Sequence, residues 1–214
     1  MTSAREEMLD RVRRALADVP AGESPEDVAV PRAYRTAEAA SGAELVEALS
    51  DRLRDYGAGV HPVAADAVAA TVGRVCAERG SRRIAVPADL PDGWLPADLE
   101  AVVDGGLTAD QLDACDAVVT GCGLAIAQTG TLVLEGGPAQ GRRLLSLVPD
   151  HHVCVVRAEQ VVGLVPEAIA TLGEPARQGR SITFISGPSA TSDIELRRVQ
   201  GVHGPRKLDV LIVG

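Results

Sequence analysis

Short, continuous runs of Val, Ile and Leu, separated by segments with helical periodicity, constrain the fold of this chain more than any other feature. Strand candidates lie at 82–87, 99–105, 116–122, 131–137, 152–158, 181–186 and 207–214, with a shorter one around Val60 and Val63, and helical candidates at 43–56, 65–79, 166–172 and 191–199. Because most of these strands do not alternate strictly between apolar and polar residues, we expect them to be buried on both faces. The pattern therefore predicts an α/β fold with a mostly parallel, partly mixed sheet flanked by helices.

The first forty residues form a separate segment. Ser3 and Glu6 have the spacing of a capping box, which predicts the start of a helix, and apolar residues follow at three- and four-residue steps. Prolines and glycines between 20 and 40 indicate an extended connection. We therefore divide the chain into an N-terminal helical arm at 1–40 and an α/β domain at 41–214. The apolar stripe of the arm can pack on the domain, or dock on a partner or a second copy of the chain.

Composition excludes several classes of function. The chain of 214 residues has a net charge of −9 and 2 % aromatic residues, so it lacks the positive surface and stacking platforms of a nucleic-acid binder. No apolar stretch approaches the roughly 20 residues that a membrane span requires. Its 4 cysteines form no CxxC pair, and we expect them to be buried, reduced side chains of a cytoplasmic protein.

A first polar cluster interrupts two apolar runs in "GLAIAQTGTLVLEGG", residues 123–137. It consists of Gln128, Thr129, Gly130 and Thr131. No helix fits between the two runs, so the sequence predicts a hairpin or bend near Gln128–Gly130. The cluster is either a tight surface turn or the polar floor of a binding site.

A second polar cluster follows a strand in "SGPSATSDIELRRVQGVHGP", residues 186–205. Ser192 and Glu195 have the spacing of a capping box, which predicts that the helix at 191–199 begins here. Free backbone N–H groups at a helix start can bind an anion, but the hydroxyls can equally well only cap the helix. Asp193 and Glu195 argue against a phosphate placed directly at that end.

Histidine residues give one candidate proton carrier and no metal site. His203 lies between two glycines, so its ring can approach a ligand closely and move a proton near pH 7, although a loop histidine is often only solvated. His151 and His152 precede a strand, where adjacent side chains point to opposite faces, so we expect no shared metal.

The glycine-rich segment around Arg142 and Arg143 can hold an anion, but solvated arginines on a flexible loop are the favoured interpretation.

Three segments together resemble the LUD-domain family, and within it the lactate-utilisation branch: "AIAQTGTLVL", "GRRLLSLVPDHHVCVV" and "GPSATSDIELRRVQGVHGP". The resemblance extends over residues 40–214. It implies a fold similar to that of the sugar-phosphate isomerase and CoA-transferase superfamily. It also implies a role in oxidising L-lactate to pyruvate beside iron–sulfur partner proteins. The chain has no cysteine pattern for a cluster, so we expect it to bind no cofactor itself.

The resemblance also implies a difference at one position, because relatives commonly carry an acidic residue where this chain has Gln128. An amide does not ionise, so Gln128 cannot be a carboxylate nucleophile or a general base. It can still hydrogen-bond a ligand or the loop. With the resemblance, we favour the polar floor of a pocket over a plain surface turn.

The leading hypothesis is a subunit or accessory factor of a lactate-oxidising system that binds a small anionic ligand in a polar cleft at strand-to-turn junctions. The candidate catalytic residues are His203 and Asp193, and the candidate ligand-binding residues are Gln128, Thr129, Gly130, Thr131, Gly187, Ser189, Thr191, Glu195 and Gly204. One alternative is a free-standing enzyme acting on a CoA thioester or a sugar phosphate. Another is a non-catalytic interaction subunit, in which the polar clusters only cap and turn.

Overall fold

A computed structural model of the chain describes residues 3–20, 22–24, 27, 29–192, 198–200 and 203–214, with the backbone alone at 190–192 and 198–200. The chain divides into two compact units, Met1–Tyr34 and Arg35–Gly214. Within the described residues, no helix is long and apolar enough to cross a membrane.

The first unit contains the helix that the capping box predicts. Helix α1 spans Ala4–Ala15, and the Ser3 hydroxyl accepts a hydrogen bond from the Glu6 amide while the Glu6 carboxylate accepts one from the Ser3 amide. No residue of α1 is buried. The apolar side chains along this segment are between 39 % and 66 % exposed, namely Met8, Leu9, Val12, Leu16 and Val19.

The second unit is an α/β domain with a six-stranded parallel sheet, as the apolar runs predict. The strands are, in chain order, β1 (Gly59–Val63), β2 (Arg83–Pro87), β3 (Glu100–Asp104), β4 (Ala117–Gly121), β5 (Leu124–Ile126), β6 (Thr131–Leu134), β7 (His151–Arg157), β8 (Val161–Val162), β9 (Thr183–Ile185), β10 (Ala190–Ser192), β11 (Arg198–Gln200) and β12 (Lys207–Val213). The helices are α2 (Gly42–Asp55), α3 (Val68–Arg79), α4 (Ala109–Asp113) and α5 (Val165–Arg177). The main sheet has the order β1-β12-β7-β4-β2-β3, and every pair in it is parallel.

A smaller sheet with the order β8-β5-β6-β9 contains the predicted hairpin. Strands β5 and β6 pair antiparallel across Gln128–Gly130, and β6 pairs antiparallel with β9, while β5 and β8 are parallel. The expectation of a partly mixed strand arrangement is therefore confirmed, but the antiparallel pairs belong to this smaller sheet and to a separate two-stranded sheet, β10-β11, and not to the main one.

The main sheet is buried on both faces, which explains its continuous apolar strands. One face packs against α3, and the other packs against α2 and the inner face of the smaller sheet. The outer face of the smaller sheet is covered by α5. All five residues of β4 and the first six of β7 are buried. Polar side chains on these strands are therefore removed from water and require partners within the protein.

The predicted helix at 191–199 is wrong. Residues 190–192 and 198–200 form the antiparallel strands β10 and β11, with Thr191 opposite Val199. Both ends of the proposed helix therefore have extended backbone, which suits the β-branched residues there. The proposed capping box at Ser192 and Glu195 does not begin a helix, because Ser192 is in strand β10. Glu195 lies outside the described residues.

A buried carboxylate, Asp209 on β12, connects several elements at the amino end of the main sheet. Its Oδ1 accepts a hydrogen bond from His61 Nε2 at 2.8 Å, and its Oδ2 accepts from His151 Nε2 at 3.0 Å and from Arg79 Nε at 3.3 Å. Burial by itself raises the pKa of Asp209, but the hydrogen bonds from His151 and His61 and the charge of Arg79 hold that pKa well below its usual range. The ionised carboxylate thereby joins β1, β7, β12 and the end of α3.

We expect the substitution Asp209→Asn to lower the free energy of unfolding at pH 7 by about 3 kcal/mol, because it removes one member of a buried charged cluster. Since the folded pKa is depressed, this contribution is present above the unfolded pKa of about 3.9 and declines as the pH falls below it. Urea denaturation between pH 7 and pH 3 measures both effects. Glu174→Gln, which breaks an exposed pair with Arg177, is the matched control and should cost less than about 1 kcal/mol. Equal losses for the two variants would contradict the assignment.

Candidate functional site

A chain of hydroxyl groups connects the two polar clusters of the sequence. The Oγ1 atoms of Thr129 and Thr131 lie 2.7 Å apart, and Thr131 Oγ1 lies 2.8 Å from Ser186 Oγ. Thr131 is buried and begins β6, whereas Ser186 directly follows β9. Because β6 and β9 are neighbouring antiparallel strands, the amino end of one meets the carboxyl end of the other, and the two clusters come together there.

Two of the predicted ligand-binding glycines have a structural explanation at the end of α2. Gly130 and Gly187 have φ angles of +60° and +90°, which favour glycine. A Cβ atom on Gly130 would lie 2.6 Å from the Arg52 Cβ, and one on Gly187 would lie 2.6 Å from the Tyr56 Cβ. Both turns can therefore approach α2 only because they lack a side chain.

Beside this contact lies a cavity of about 330 Å³, within the size range of sites for small molecules. Four of the predicted site residues line it, namely Gly187, Ser189, His203 and Gly204. Ser189 holds the segments together, since its amide donates to the Pro205 carbonyl at 2.8 Å and its hydroxyl accepts from the His203 amide at 3.2 Å. The apolar part of the wall comes from Leu147, Phe184, Ile185 and Leu208.

The remaining predicted site residues lie elsewhere or outside the described residues. Gln128 is exposed in the hairpin turn, and neither it, Thr129 nor Thr131 lines the cavity, although Thr131 reaches it through Ser186. Thr191 is in β10. Asp193 and Glu195 are outside the described residues.

His152 and Arg143 line the cavity but are absent from the predicted site. His152 is on β7 and is 1 % exposed, and its Nε2 lies 2.7 Å from the Oγ1 of Thr120 on the neighbouring strand. Its Nδ1 has no hydrogen-bond partner among the described residues. Burial, with a smaller contribution from His151, lowers the pKa of His152 to about 3, so the ring is neutral at pH 7. The signal in the sequence was a polar residue near the start of a strand that continues with four apolar residues.

The two histidines point to opposite faces of the main sheet, as predicted. His151 Nδ1 accepts from the Ser81 hydroxyl at 3.1 Å, and His151 Nε2 donates to Asp209, on the face that packs against α3. His152 faces Thr120 and the cavity.

Both consecutive arginines are exposed, as the favoured interpretation of solvated arginines predicts, but their partners differ. Arg142 donates to both carboxylate oxygens of Asp104 at 2.8 and 3.0 Å, and this hydrogen bonding lowers the pKa of Asp104. Arg143 has no carboxylate within ion-pair distance among the residues that the structure describes, and it lines the cavity. Its guanidinium is therefore available to an anionic ligand.

The cavity lies at the amino end of the main sheet, because His152 and Leu208 are the second residues of β7 and β12. Open α/β sheets more often bind ligands at the carboxyl ends of their strands. A depression of about 270 Å³ exists at that end, beside Gly121. Its polar groups are already paired, since Glu135 contacts Arg180 and Asp89 accepts from the Ala139 amide. We therefore place the candidate site at the amino end.

A linear arrangement of Ser81, His151 and Asp209 borders a further cavity of about 470 Å³ and resembles a catalytic triad in composition. Its surroundings do not support nucleophilic chemistry. The amides of Gly80 and Ser81 donate to carbonyls of α3, at Ala77 and at Cys76, so they cannot form an oxyanion hole. The carbonyl end of a helix also disfavours developing negative charge. The arrangement is explained by its structural connection of three strands and a helix.

The fold and the cavity define a class of α/β protein with a parallel sheet covered on both faces and a small cavity, lined by polar and apolar side chains, at the amino end of that sheet. The chain belongs to the LUD domain family, whose family model matches residues 38–213. The resemblance seen in the sequence is thereby confirmed.

Two relatives and one solved structure are similar to this chain. A protein named lactate utilization protein C from Deinococcus radiodurans is 43 % identical over 212 residues, which cover 99 % of this chain and 96 % of the relative. A protein of the same name from Geobacillus thermodenitrificans is 31 % identical over 182 residues, or 81 % of this chain and 70 % of the relative. The crystal structure of a DUF162 family protein from Deinococcus radiodurans has a TM-score of 0.71 and 38 % identity, and the match covers 82 % of this chain and 99 % of that one.

We expect His152 to make the protein less stable in mild acid. Its folded pKa is below the unfolded value of about 6.5, so its contribution is present above pH 6.5 and is lost as the pH falls. Between pH 7 and pH 5 this linkage amounts to about 2 kcal/mol. In urea denaturation, the His152→Gln chain should therefore lose about 2 kcal/mol less over this range than the unaltered chain. The same pH dependence in both chains would show that His152 is not held neutral.

Proposed function

We propose that this chain is a component of a cytoplasmic system that oxidises L-lactate to pyruvate together with iron–sulfur partner proteins, and that it binds a small anionic ligand in the cavity between Arg143, His152 and His203. The observation that carries the role is the 43 % identity, over nearly the full length of both chains, to a protein named lactate utilization protein C.

The chemistry of the cavity supports a small anion as the ligand. Arg143 is a cation at the cavity wall in a chain with a net charge of −9, and no carboxylate among the described residues neutralises it. The hydroxyls of Ser186 and Ser189 can hydrogen-bond ligand oxygens. The apolar wall suits a short alkyl group. His203 is exposed at the cavity and is the residue we propose as proton carrier.

The chemistry of the cysteines supports iron–sulfur clusters on partner proteins and not on this chain. Lactate oxidation releases two electrons and two protons, so an electron acceptor is required. All four thiols are buried and unpaired, at Cys76, Cys115, Cys122 and Cys154. Burial raises the pKa of Cys76 to about 11, whereas a cluster requires thiolate ligands. Unpaired, reduced cysteines also fit the proposed cytoplasmic setting.

A second candidate function, a non-catalytic interaction subunit, is favoured by the exposed apolar side chains of the first unit. Leu9, Val12 and Leu16 follow the spacing of one helical face and are 39 %, 49 % and 55 % exposed. Such a face suits a docking helix for a partner or a second copy of the chain. This function and ligand binding can coexist in one subunit.

Deletion of the gene should abolish growth on L-lactate as the sole carbon source and leave growth on glucose intact. The unaltered gene should restore growth, whereas Arg143→Gln should slow it at least tenfold, because the ligand carboxylate loses its cationic partner. The control Arg177→Gln, on the exposed face of α5, should restore growth fully.

Unchanged growth of the deletion strain on lactate would refute the pathway role. Normal growth with Arg143→Gln would instead refute the role of the cavity while leaving the pathway role intact. Immunoblots of both variants ensure that equal amounts of protein are compared.

A further inference from the structure

Helix α1 and the turn after it carry an apolar face that is open to solvent. Every residue from Ser3 to Pro20 is exposed. Leu9, Val12 and Leu16 are separated by three and then four residues, which is the spacing of positions a and d in a coiled coil. The Leu16 amide donates to the Val12 carbonyl at 3.0 Å, so Leu16 continues the helical geometry. The face therefore has the form of a short seam for pairing with one other helix.

A charge at the amino-terminal end of this seam discriminates between the two directions in which two copies of α1 can pair. Counted back from Leu9, Arg5 occupies position d. In a parallel pair, Arg5 would face Arg5 of the other copy and bring two like charges together. In an antiparallel pair, position d of one helix meets position a of the other. Arg5 would then lay its aliphatic stem on Leu16 of the other copy and keep its guanidinium in water, so the seam favours the antiparallel direction.

The charged flank of the seam is complementary to itself in the same direction. Glu6 and Arg13 both occupy position e, seven residues apart. The e positions of two antiparallel helices face each other, so Glu6 of each copy would lie beside Arg13 of the other, and this pair occurs twice. Within its own helix, Glu6 holds the Ser3 amide through Oε2, and Arg13 contacts Asp10 through Nη1. Each side chain therefore retains a further oxygen or further N–H groups for a partner across the seam.

The opposite flank of the seam is apolar. Met8 and Ala15 occupy position g, and both are exposed. The g positions of two antiparallel helices also face each other, so the large Met8 of each copy would pack against the small Ala15 of the other. In a parallel pair, position e would face position g, and the charges of Glu6 and Arg13 would be placed against these apolar side chains instead.

We propose that α1 is a dimerisation helix that pairs antiparallel with α1 of a second copy of this chain, with Leu9 opposite Val12 at the centre and Glu6 beside Arg13 on both sides of it. The inference rests on the second candidate function, an interaction subunit, and commits its apolar face to one partner. A second copy fits because the seam, the charged flank and the apolar flank are each self-complementary about a twofold axis. Since few side chains are covered, we expect a weak dimer with a Kd on the order of 100 μM.

Sedimentation velocity of the full chain between about 10 μM and 1 mM tests the proposal, and the dimer fraction of the unaltered chain should rise across this range. Arg13→Glu and Glu6→Arg should each be monomeric, because each places like charges together on both sides of the centre. An equal mixture of these two variants should form dimers again, since both complementary pairs are restored. Arg14→Glu is the matched control, because it makes the same change of charge on the face turned away from the seam, and its dimer should persist.

Three results would overturn the proposal: an unaltered chain that is monomeric at 1 mM, folded charge variants that stay monomeric when mixed, or equal losses in Arg13→Glu and Arg14→Glu. Far-UV circular dichroism checks that the variants are folded. A monomeric unaltered chain would leave the α/β domain or a different protein as the partner of this face.

Electron paramagnetic resonance of a spin label on Ala4→Cys gives a second readout that leaves the seam unaltered. The native thiols are all buried, so the label reacts at the exposed position. The rise of 1.5 Å per residue should separate the two labels of an antiparallel dimer by about 20 Å along the helix axis, whereas a parallel pair would bring them side by side. Strong short-range coupling between labels would overturn the proposed direction.

Growth on L-lactate with Val12→Asp, which places a charge at the centre of the seam, separates this inference from the interaction function on which it rests. If the chain is monomeric but Val12→Asp abolishes growth, the interaction function stands and self-pairing fails. If the dimer behaves as proposed but Val12→Asp grows normally, self-pairing stands and the need for this interaction in lactate utilization fails.

Discussion

Burial of the parallel sheet on both faces is the constraint on which the rest of this structure depends. It removes the polar side chains of β4, β7 and β12 from water, so each of them requires a partner inside the protein. At the amino end of the sheet this need is met on one face by the cluster around Asp209, where two histidines and an arginine surround one carboxylate. On the other face, Thr120 and His152 satisfy each other only in part, because the His152 Nδ1 remains without a partner among the described residues. The satisfied groups around Asp209 hold three strands and the end of α3 together.

The hairpin and the β9 turn shape the site from outside the main sheet. The hydroxyls of Thr129, Thr131 and Ser186 form a continuous chain between the two polar clusters, and Gly130 and Gly187 allow both turns to approach α2. Through Ser186, these contacts join the hairpin to the cavity wall. The polar residues Thr129 and Thr131, between two buried strands, thus connect β6 to Ser186 at the end of β9. The exposed amide of Gln128 lies outside the cavity lining, so an acid or an amide at this position leaves the cavity itself unchanged.

The chain belongs to the LUD domain family, and its cavity lies at the amino end of the main sheet. Relatives named lactate utilization protein C support a role in lactate utilization. The paired groups at the carboxyl ends of the strands, such as Glu135 with Arg180, contrast with Arg143 at the amino end, which no carboxylate of the described residues neutralises. The choice between the two ends of the sheet therefore follows from charge pairing and not from the general preference of α/β folds.

The sequence by itself determined the local elements, since apolar runs, capping residues and turn glycines act over a few neighbouring positions. The capping box at Ser3, the hairpin at Gln128–Gly130 and the opposite faces of His151 and His152 were all predictable for this reason. The same local signals failed at 191–199, where residues 191–192 and 198–199 belong to the paired strands β10 and β11, because backbone pairing between these two nearby segments outweighed the capping signal. Only the tertiary structure decided that Arg142 meets Asp104 while Arg143 faces a cavity, and that His152 lies at the cavity with one nitrogen unpaired among the described residues. Those outcomes depend on which strands become neighbours, and no spacing along the chain encodes a contact between residues that are far apart in it.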